Sequence, residues 1–168
     1  MEPIYIPHLA KAPESTQSVL IEQFLTHLDT LTPVRGKVVV RHRGNFLEVF
    51  GQAETIITLT CDRCLQQYNH KLGIKTSEII WLDPAVNAPD TGPLERETPM
   101  EDLVEKLDPQ GHFAPDTWIY EQLCLATPPR KLCDNQCPGV KLESEAGSKT
   151  TVDRRWQALE AFKRQLTN

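Results

Sequence analysis

The chain has 168 residues, of which 39 % are hydrophobic and 24 % are charged, and its formal net charge is −5. This length and balance are typical of a soluble globular protein with one core, and we predict a single domain over residues 1–168. No apolar run approaches the length of a membrane-spanning helix, and the N-terminus lacks the basic and apolar regions of a secretory signal. We therefore expect a cytoplasmic protein whose cysteine thiols stay reduced.

The N-terminal part predicts an extended segment followed by one helix. Three prolines interrupt residues 1–13 and exclude a regular helix there. Ser15 or Thr16 can cap a helix that runs to about Leu28, because apolar residues follow at nearly helical spacing. We expect this helix to pack against the core.

A β meander is predicted next. Residues 34–42 are rich in β-branched side chains, and residues 46–50 and 53–60 are two further strand-like runs with a turn at residues 51–52 between them. A fourth strand follows over residues 68–82. Short connections make neighbouring strands antiparallel, so the pattern predicts an antiparallel meander that could curl into a barrel-like shape.

The second half predicts loops and two more helices. Residues 83–115 hold six prolines and many acids, which predicts an acidic, Pro-rich loop with a short helix at residues 100–107. A middle helix should begin at Asp116, residues 143–150 should form a flexible joint, and a C-terminal helix should begin at Asp153. The predicted fold class is α+β, with the meander packed by N-terminal, middle and C-terminal helices.

Two pairs of closely spaced cysteines carry the most specific chemistry. Cys61 and Cys64 form a C-x2-C on a turn between predicted strands, and Cys133 and Cys137 form a C-x3-C later in the chain. Zinc prefers a tetrahedral shell, and each close pair can fill one edge of it with little chain strain. We predict that these four thiolates bind one structural Zn²⁺, which ties the C-terminal segment to the sheet. The fifth cysteine, Cys124, is expected to be a small buried residue in the middle helix.

Two alternative interpretations of the first cysteine pair remain open. A redox-active dithiol usually opens a helix after a parallel strand, whereas the flanks here indicate antiparallel strands. A thiol oxidoreductase using Cys61 and Cys64 is therefore a less favoured alternative, as is a fold that keeps the cysteines free of metal. The sequence has no Walker loop, dinucleotide fingerprint or nucleophile elbow, so we expect neither an enzyme nor a small-molecule substrate.

Charge is distributed unevenly along the chain. Residues 83–108 carry eight acids and two basic residues, which leaves the rest of the chain with an excess of one positive charge. We expect basic residues to cluster near the cysteine pairs as a local basic face, and we predict RNA contacts at six of them: Lys37, Arg41, Arg43, Arg63, Arg130 and Lys131. A solvated surface of mixed charge is an equally compatible reading.

Three stretches resemble a known family. The run Cys61-Asp-Arg-Cys-Leu-Gln-Gln-Tyr is similar to the C-x-R-C-x-x-x-aromatic signature of the YceD family, the large-ribosomal-RNA-subunit accumulation proteins of bacteria and plastids. The phrase Trp118-Ile-Tyr-Glu-Gln-Leu-Cys-Leu-Ala-Thr-Pro-Pro resembles the helix that precedes the family's second cysteine turn. The run from Asp153 to Lys163 resembles its closing helix, so the likeness extends from about residue 34 onward.

The resemblance implies a non-enzymatic role in ribosome biogenesis. It implies support of large-subunit ribosomal RNA processing or accumulation through binding of precursor RNA or an assembly intermediate, with ribosomal proteins or assembly factors as further partners. Many relatives carry another cysteine pair after the second one, and this chain has none; the second pair also varies in the family. A zinc-stabilised protein–protein adaptor is the alternative, with the acidic loop or an exposed aromatic such as Trp81 as its working surface.

Overall fold

The central element is a five-stranded sheet. The structure is a computed structural model that describes residues 1–88, 97, 100, 103–140 and 159. The sheet has the strand order β2-β3-β4-β5-β6, and a small two-stranded sheet pairs β1 with β7. The elements in chain order are β1 (Ile4–Tyr5), α1 (Ile6–Leu9), a 3-10 turn (Pro13–Ser15), β2 (Thr16–Gln23), β3 (Val34–His42), β4 (Phe46–Thr60), β5 (Gln67–Leu82), β6 (Lys106–Leu107), β7 (His112–Phe113) and α2 (Pro115–Ala126).

The predicted antiparallel meander is confirmed in β3, β4 and β5. β3 pairs antiparallel with β4, and β4 pairs antiparallel with β5. β6 adds a short parallel pairing beside the end of β5. The sheet is open in the part of the chain that the structure describes, so the barrel-like closure is wrong. Buried and exposed residues alternate along β4, as expected for a sheet with one face on the core.

The turn predicted at residues 51–52 is wrong, since β4 runs through it without a break. Gly51 is buried there because the ring of Trp118 lies directly on its backbone. A Cβ atom on Gly51 would lie 2.7 Å from Cη2 of Trp118, which is far inside ordinary contact distance. This glycine therefore allows the close approach of α2 rather than a turn.

The extended segment predicted over residues 1–13 is wrong at Ile6–Leu9, which forms the one-turn helix α1, because Pro7 lies in its first turn, where no backbone N–H is needed. The helix predicted from Ser15 or Thr16 to Leu28 is also wrong, because Thr16–Gln23 forms β2 and pairs along its whole length with β3. Val19 and Ile21 point to the core at a spacing of two residues, while Leu20 is 78 % exposed. Pairing with the long β3 strand outweighs the weak helical stripe, because it buries these β-branched residues and fills the backbone hydrogen bonds.

The middle helix is confirmed as α2, whereas the short helix at residues 100–107 is wrong at its C-terminal end, where Lys106–Leu107 forms β6. Cys124 is exposed and not buried as expected, because α2 turns Trp118, Ile119 and Leu123 to the core and leaves Cys124 on the opposite side. The predicted joint at 143–150 and, apart from Leu159, the predicted C-terminal helix lie outside the described residues.

The hydrophobic core lies on one face of the main sheet. Residues from α1, α2 and β7 cover this face and pack on the inward side chains of β2 to β5, including Val38, Val49 and Ile80. Trp118 is fixed there by a 2.6 Å hydrogen bond from its Nε1 to Glu78 Oε2 on β5. Among the described residues, no helix is long and apolar enough to span a membrane.

Candidate metal centre and basic surfaces

The four predicted cysteines meet at one point, at the tip of the β4–β5 hairpin. Their sulfur atoms all lie within 4.8 Å of one another. The Sγ atoms of Cys61 and Cys137 are 3.8 Å apart, and those of Cys64 and Cys133 are 3.7 Å apart. A tetrahedral site with zinc–sulfur bonds of about 2.3 Å has sulfur–sulfur edges of about 3.8 Å. The cluster therefore has the size that a tetrahedral metal ion requires, and its sulfurs are too far apart for disulfides.

The first cysteine pair is shaped by the turn that joins β4 to β5. The backbone N–H of Cys61 donates to Gln66 O at 2.9 Å, and the N–H of Leu65 donates to Cys61 O at 2.9 Å. Leu65 adopts a left-handed conformation with a φ of 62°. These contacts close a tight turn, which brings the thiol of Cys64 next to the thiol of Cys61.

Asp62 clamps the second cysteine segment to the hairpin. Its backbone N–H donates to Lys131 O at 2.8 Å, and its Oδ2 accepts from the Lys131 N–H at 2.7 Å. This reciprocal pair fixes the chain two residues before Cys133. Asp62 is not among the site residues predicted from the sequence, although an aspartate in a turn commonly accepts a hydrogen bond from a backbone N–H.

Arg63 holds the second cysteine turn from the other side. Its Nη1 donates to Asn135 O at 3.4 Å and to Cys137 O at 3.2 Å, and its own carbonyl accepts from the Val140 N–H at 3.2 Å. The guanidinium also places a positive charge at the second cysteine turn, where it would offset the negative charge of four thiolates if they bound a metal ion. Arg63 thus has a positioning role that does not depend on RNA.

The cluster separates the acidities of its thiols. Hydrogen bonds from the backbone N–H groups of Cys133 and Cys64 lower the pKa of Cys61 to about 6. Hydrogen bonding with the Cys137 thiol, followed by desolvation, raises the pKa of Cys133 to about 12. Without a metal ion, the Cys61 thiol therefore loses its proton more readily than the Cys133 thiol. Because zinc ligands are thiolates, metal binding would release the remaining protons.

The ligand set is closed. Cys61 and Cys137 are buried, Cys64 is half-buried, and Cys133 is exposed at the rim. Four protein sulfurs complete a tetrahedral shell and leave no position for water or substrate, which is typical of structural and not catalytic zinc sites. Such a centre would join the end of the main sheet to the segment that follows α2.

The six predicted RNA-contacting residues fall into two groups. Arg63, Arg130 and Lys131 lie beside the cysteines, as expected. The other three are Lys37, Arg41 and Arg43, on β3 and just after it.

The prediction that all six gather at the cysteine pairs is wrong. Arg41 pairs with Glu48 on β4, and both Arg41 and Arg43 form ion pairs with the Glu48 carboxylate at 3.7 Å and 3.1 Å. Since β4 rises about 3.3 Å per residue, Glu48 lies roughly 40 Å along the strand from Cys61. β4 and β5 carry the cysteine turn far beyond the last residue of β3, and local sequence could not reveal this distance.

Comparison with known proteins gives one match. Residues 49–163 match the family described as large ribosomal RNA subunit accumulation protein YceD. No curated protein and no solved structure matches the chain. The matched region holds both cysteine pairs, most of β4, β5 and α2, but it begins after β2 and β3 and therefore later than residue 34. The match covers well over half of the 168 residues. The chain therefore belongs to the YceD family.

Proposed function

We propose that this protein is a non-enzymatic factor in the biogenesis of the large ribosomal subunit. The observation that carries the proposal is the family match over residues 49–163, since the family is named for large-subunit ribosomal RNA accumulation. The protein would bind precursor ribosomal RNA or an assembly intermediate, in the cytoplasm, and ribosomal proteins or assembly factors would be its other partners.

We infer that one Zn²⁺ occupies the cysteine cluster and has a structural role. Two sulfur–sulfur distances, 3.8 Å and 3.7 Å, equal the edges of a zinc–thiolate tetrahedron. Cys61, Cys64, Cys133 and Cys137 would be its ligands, with Asp62 and Arg63 holding the two turns in place. When bound, the ion supplies a cross-link between distant parts of the chain.

RNA contacts near this centre would come from phosphate binding. Arg130 is exposed and Lys131 half-buried, and among the described residues neither side chain forms an ion pair. Unpaired cations on a rigid, cross-linked turn can bind phosphates without losing an existing ion pair. Such contacts position an RNA but read little of its sequence, which suits recognition of a folded ribosomal RNA by shape.

The first test is the level of ribosomal RNA in cells. Cells that lack the protein should accumulate less large-subunit ribosomal RNA relative to small-subunit RNA, and the wild-type gene should restore the ratio. A normal ratio in the deleted strain would contradict the proposed function.

A binding assay then tests the RNA contact. Filter binding of precursor large-subunit ribosomal RNA should weaken as salt rises, and the double substitution Arg130→Gln and Lys131→Gln should reduce the steepness of that dependence by about one to two units. Lys11→Gln, which changes an exposed lysine near the N-terminus, is the matched control. Association with ribosomal proteins that survives nuclease treatment, without direct RNA binding, would favour the protein–protein adaptor.

A further inference from the structure

None of the described elements packs on the outer face of the main sheet. Side chains on this face alternate with the buried ones, and α1, α2 and β7 pack on the opposite side. Leu20, Ile79 and Trp81 on this face are 78 %, 53 % and 40 % exposed. A sheet face of this kind is available to a partner.

Aromatic rings stand together at one end of this face. Phe46 on β4 and Trp81 on β5 are direct register partners, and their ring centroids are 5.6 Å apart. Phe50 lies four residues further along β4 on the same face, about 13 Å from Phe46 at strand spacing. These half-exposed rings present π faces on a rigid backbone.

Positive charge surrounds the same rings. The Arg41 guanidinium lies over the Phe50 ring, 5.2 Å from its centroid, and Arg41 and Arg43 share the single carboxylate of Glu48. Lys37 and Lys75 flank Gln52 from the two neighbouring strands, so they lie about 10 Å apart. Among the described residues, no ion pair involves Lys37 or Lys75. Lys37, Lys75, Arg41 and Arg43 thus lie around one acid, Glu48, while Glu54, the next acid along this face of β4, is paired with Lys71 at 2.8 Å.

We propose that this face binds single-stranded RNA, with bases stacked on Phe50 and on the Phe46–Trp81 pair and phosphates bound by Lys37, Lys75 and Arg41. The proposal rests on the proposed function and adds a second RNA surface, distinct from the cysteine turn. It also assigns a place to three basic residues that the fold separates from the metal centre.

The aromatic rings and cations of this face, called the patch below, favour a single strand over a duplex. Bases in a duplex are stacked on one another and cannot lie on protein rings, whereas unpaired bases can stack on aromatic side chains of a sheet. Positive charge interleaved with rings matches the alternation of phosphate and base along such a strand. A hydrophobic protein partner would leave without a role Lys37 and Lys75, which form no ion pair among the described residues.

The experiment measures fluorescence anisotropy of a labelled oligouridine of about twelve nucleotides, a typical site size for one sheet platform. The full chain should bind this strand more tightly than a duplex of equal length. Phe50→Ala and Trp81→Ala should each weaken binding roughly 5- to 150-fold, the loss expected for one stacked base. Phe24→Ala, which removes an exposed ring outside the patch, should bind like the wild type.

A second pair of variants tests the charges. Lys37→Gln combined with Lys75→Gln should reduce the slope of log affinity against log salt by about 1.4, while Lys11→Gln leaves it unchanged. Phe50→Tyr should bind like the wild type, because it keeps the ring. Because Phe50 is half-buried and Trp81 packs against Phe46, circular dichroism should show that each variant is folded at the temperature of the binding assay.

The outcomes separate this inference from the proposed function. If the sheet variants bind like the wild type while the Arg130 and Lys131 variant loses affinity, the sheet face is not an RNA surface and the proposed function stands. Equal affinity for duplex and single strand would also overturn the inference. If the wild-type protein binds no RNA of either kind, both this inference and the RNA contact of the proposed function fail.

Discussion

Replacement of Gly51 by alanine tests how α2 is seated on the sheet. The added methyl carbon would overlap Cζ3 of Trp118 and lie 2.7 Å from Cη2, so the ring must withdraw by at least about an ångström. Trp118 is only 2 % exposed and is held by its hydrogen bond to Glu78, so it cannot simply rotate into solvent.

The magnitude follows from three contributions. Overpacking costs about 1–3 kcal/mol, and loss of the Trp118 hydrogen bond to a carboxylate costs about 1.5–3 kcal/mol. Alanine in a strand interior is more favourable than glycine by roughly 0.5–1 kcal/mol, which offsets part of this. We expect Gly51→Ala to lower the free energy of unfolding by about 3 kcal/mol.

Urea denaturation followed by circular dichroism measures this change. Gly73→Ala is the matched control, because it lies on the neighbouring strand and its Cβ would meet nothing closer than Ala53 O at 3.8 Å. The control should be neutral or slightly stabilising. If Gly51→Ala were as stable as the control, Trp118 would not lie on the strand as described.

Two further predictions concern single side chains. Arg63→Gln should weaken zinc binding by about 10- to 100-fold, because it removes two hydrogen bonds to the second cysteine turn. Competition with a chelator measures this change, and Arg130→Gln should leave the zinc affinity unchanged. Burial and the nearby carboxylates of Glu78 and Glu121 raise the pKa of Glu105 above its ordinary value of 4.5. A carboxyl group whose pKa is raised by folding costs no stability while it is protonated, at pH values below its ordinary pKa. It destabilises the folded state once the pH exceeds the raised pKa. Glu105→Gln should therefore raise the melting temperature at pH 7 and lose this advantage below about pH 4, and no difference at pH 7 would contradict the assignment.

The sequence predicts the cluster of four cysteines better than it predicts the helices. Four cysteines in two short-spaced pairs constrain each other strongly, because a tetrahedral ion needs that spacing and little else. Strands β3 and β5 are also clear from their composition, and their bounds match the structure within a residue. These features depend on local chemistry that can be recognised without the fold.

The errors have a common cause in tertiary pairing. Thr16–Gln23 has only a weak helical stripe, and pairing with β3 decides its structure. Gly51 resembles a turn residue, but its role depends on a tryptophan that lies far along the chain. Arg41 and Arg43 are near the cysteines in sequence, and the long β4–β5 hairpin moves the cysteines away from them. None of these long-range contacts leaves a signal in a short window of sequence.

Metal analysis of the purified protein tests the central inference most directly. Protein prepared without added zinc should contain about one zinc ion per chain, and Cys133→Ser should lose the metal and melt at a lower temperature. Cys124→Ser is the matched control, because Cys124 is exposed on α2 and lies outside the cluster. Wild-type protein that is free of metal, or a Cys133→Ser protein that keeps its zinc, would contradict the assignment of a four-cysteine zinc centre.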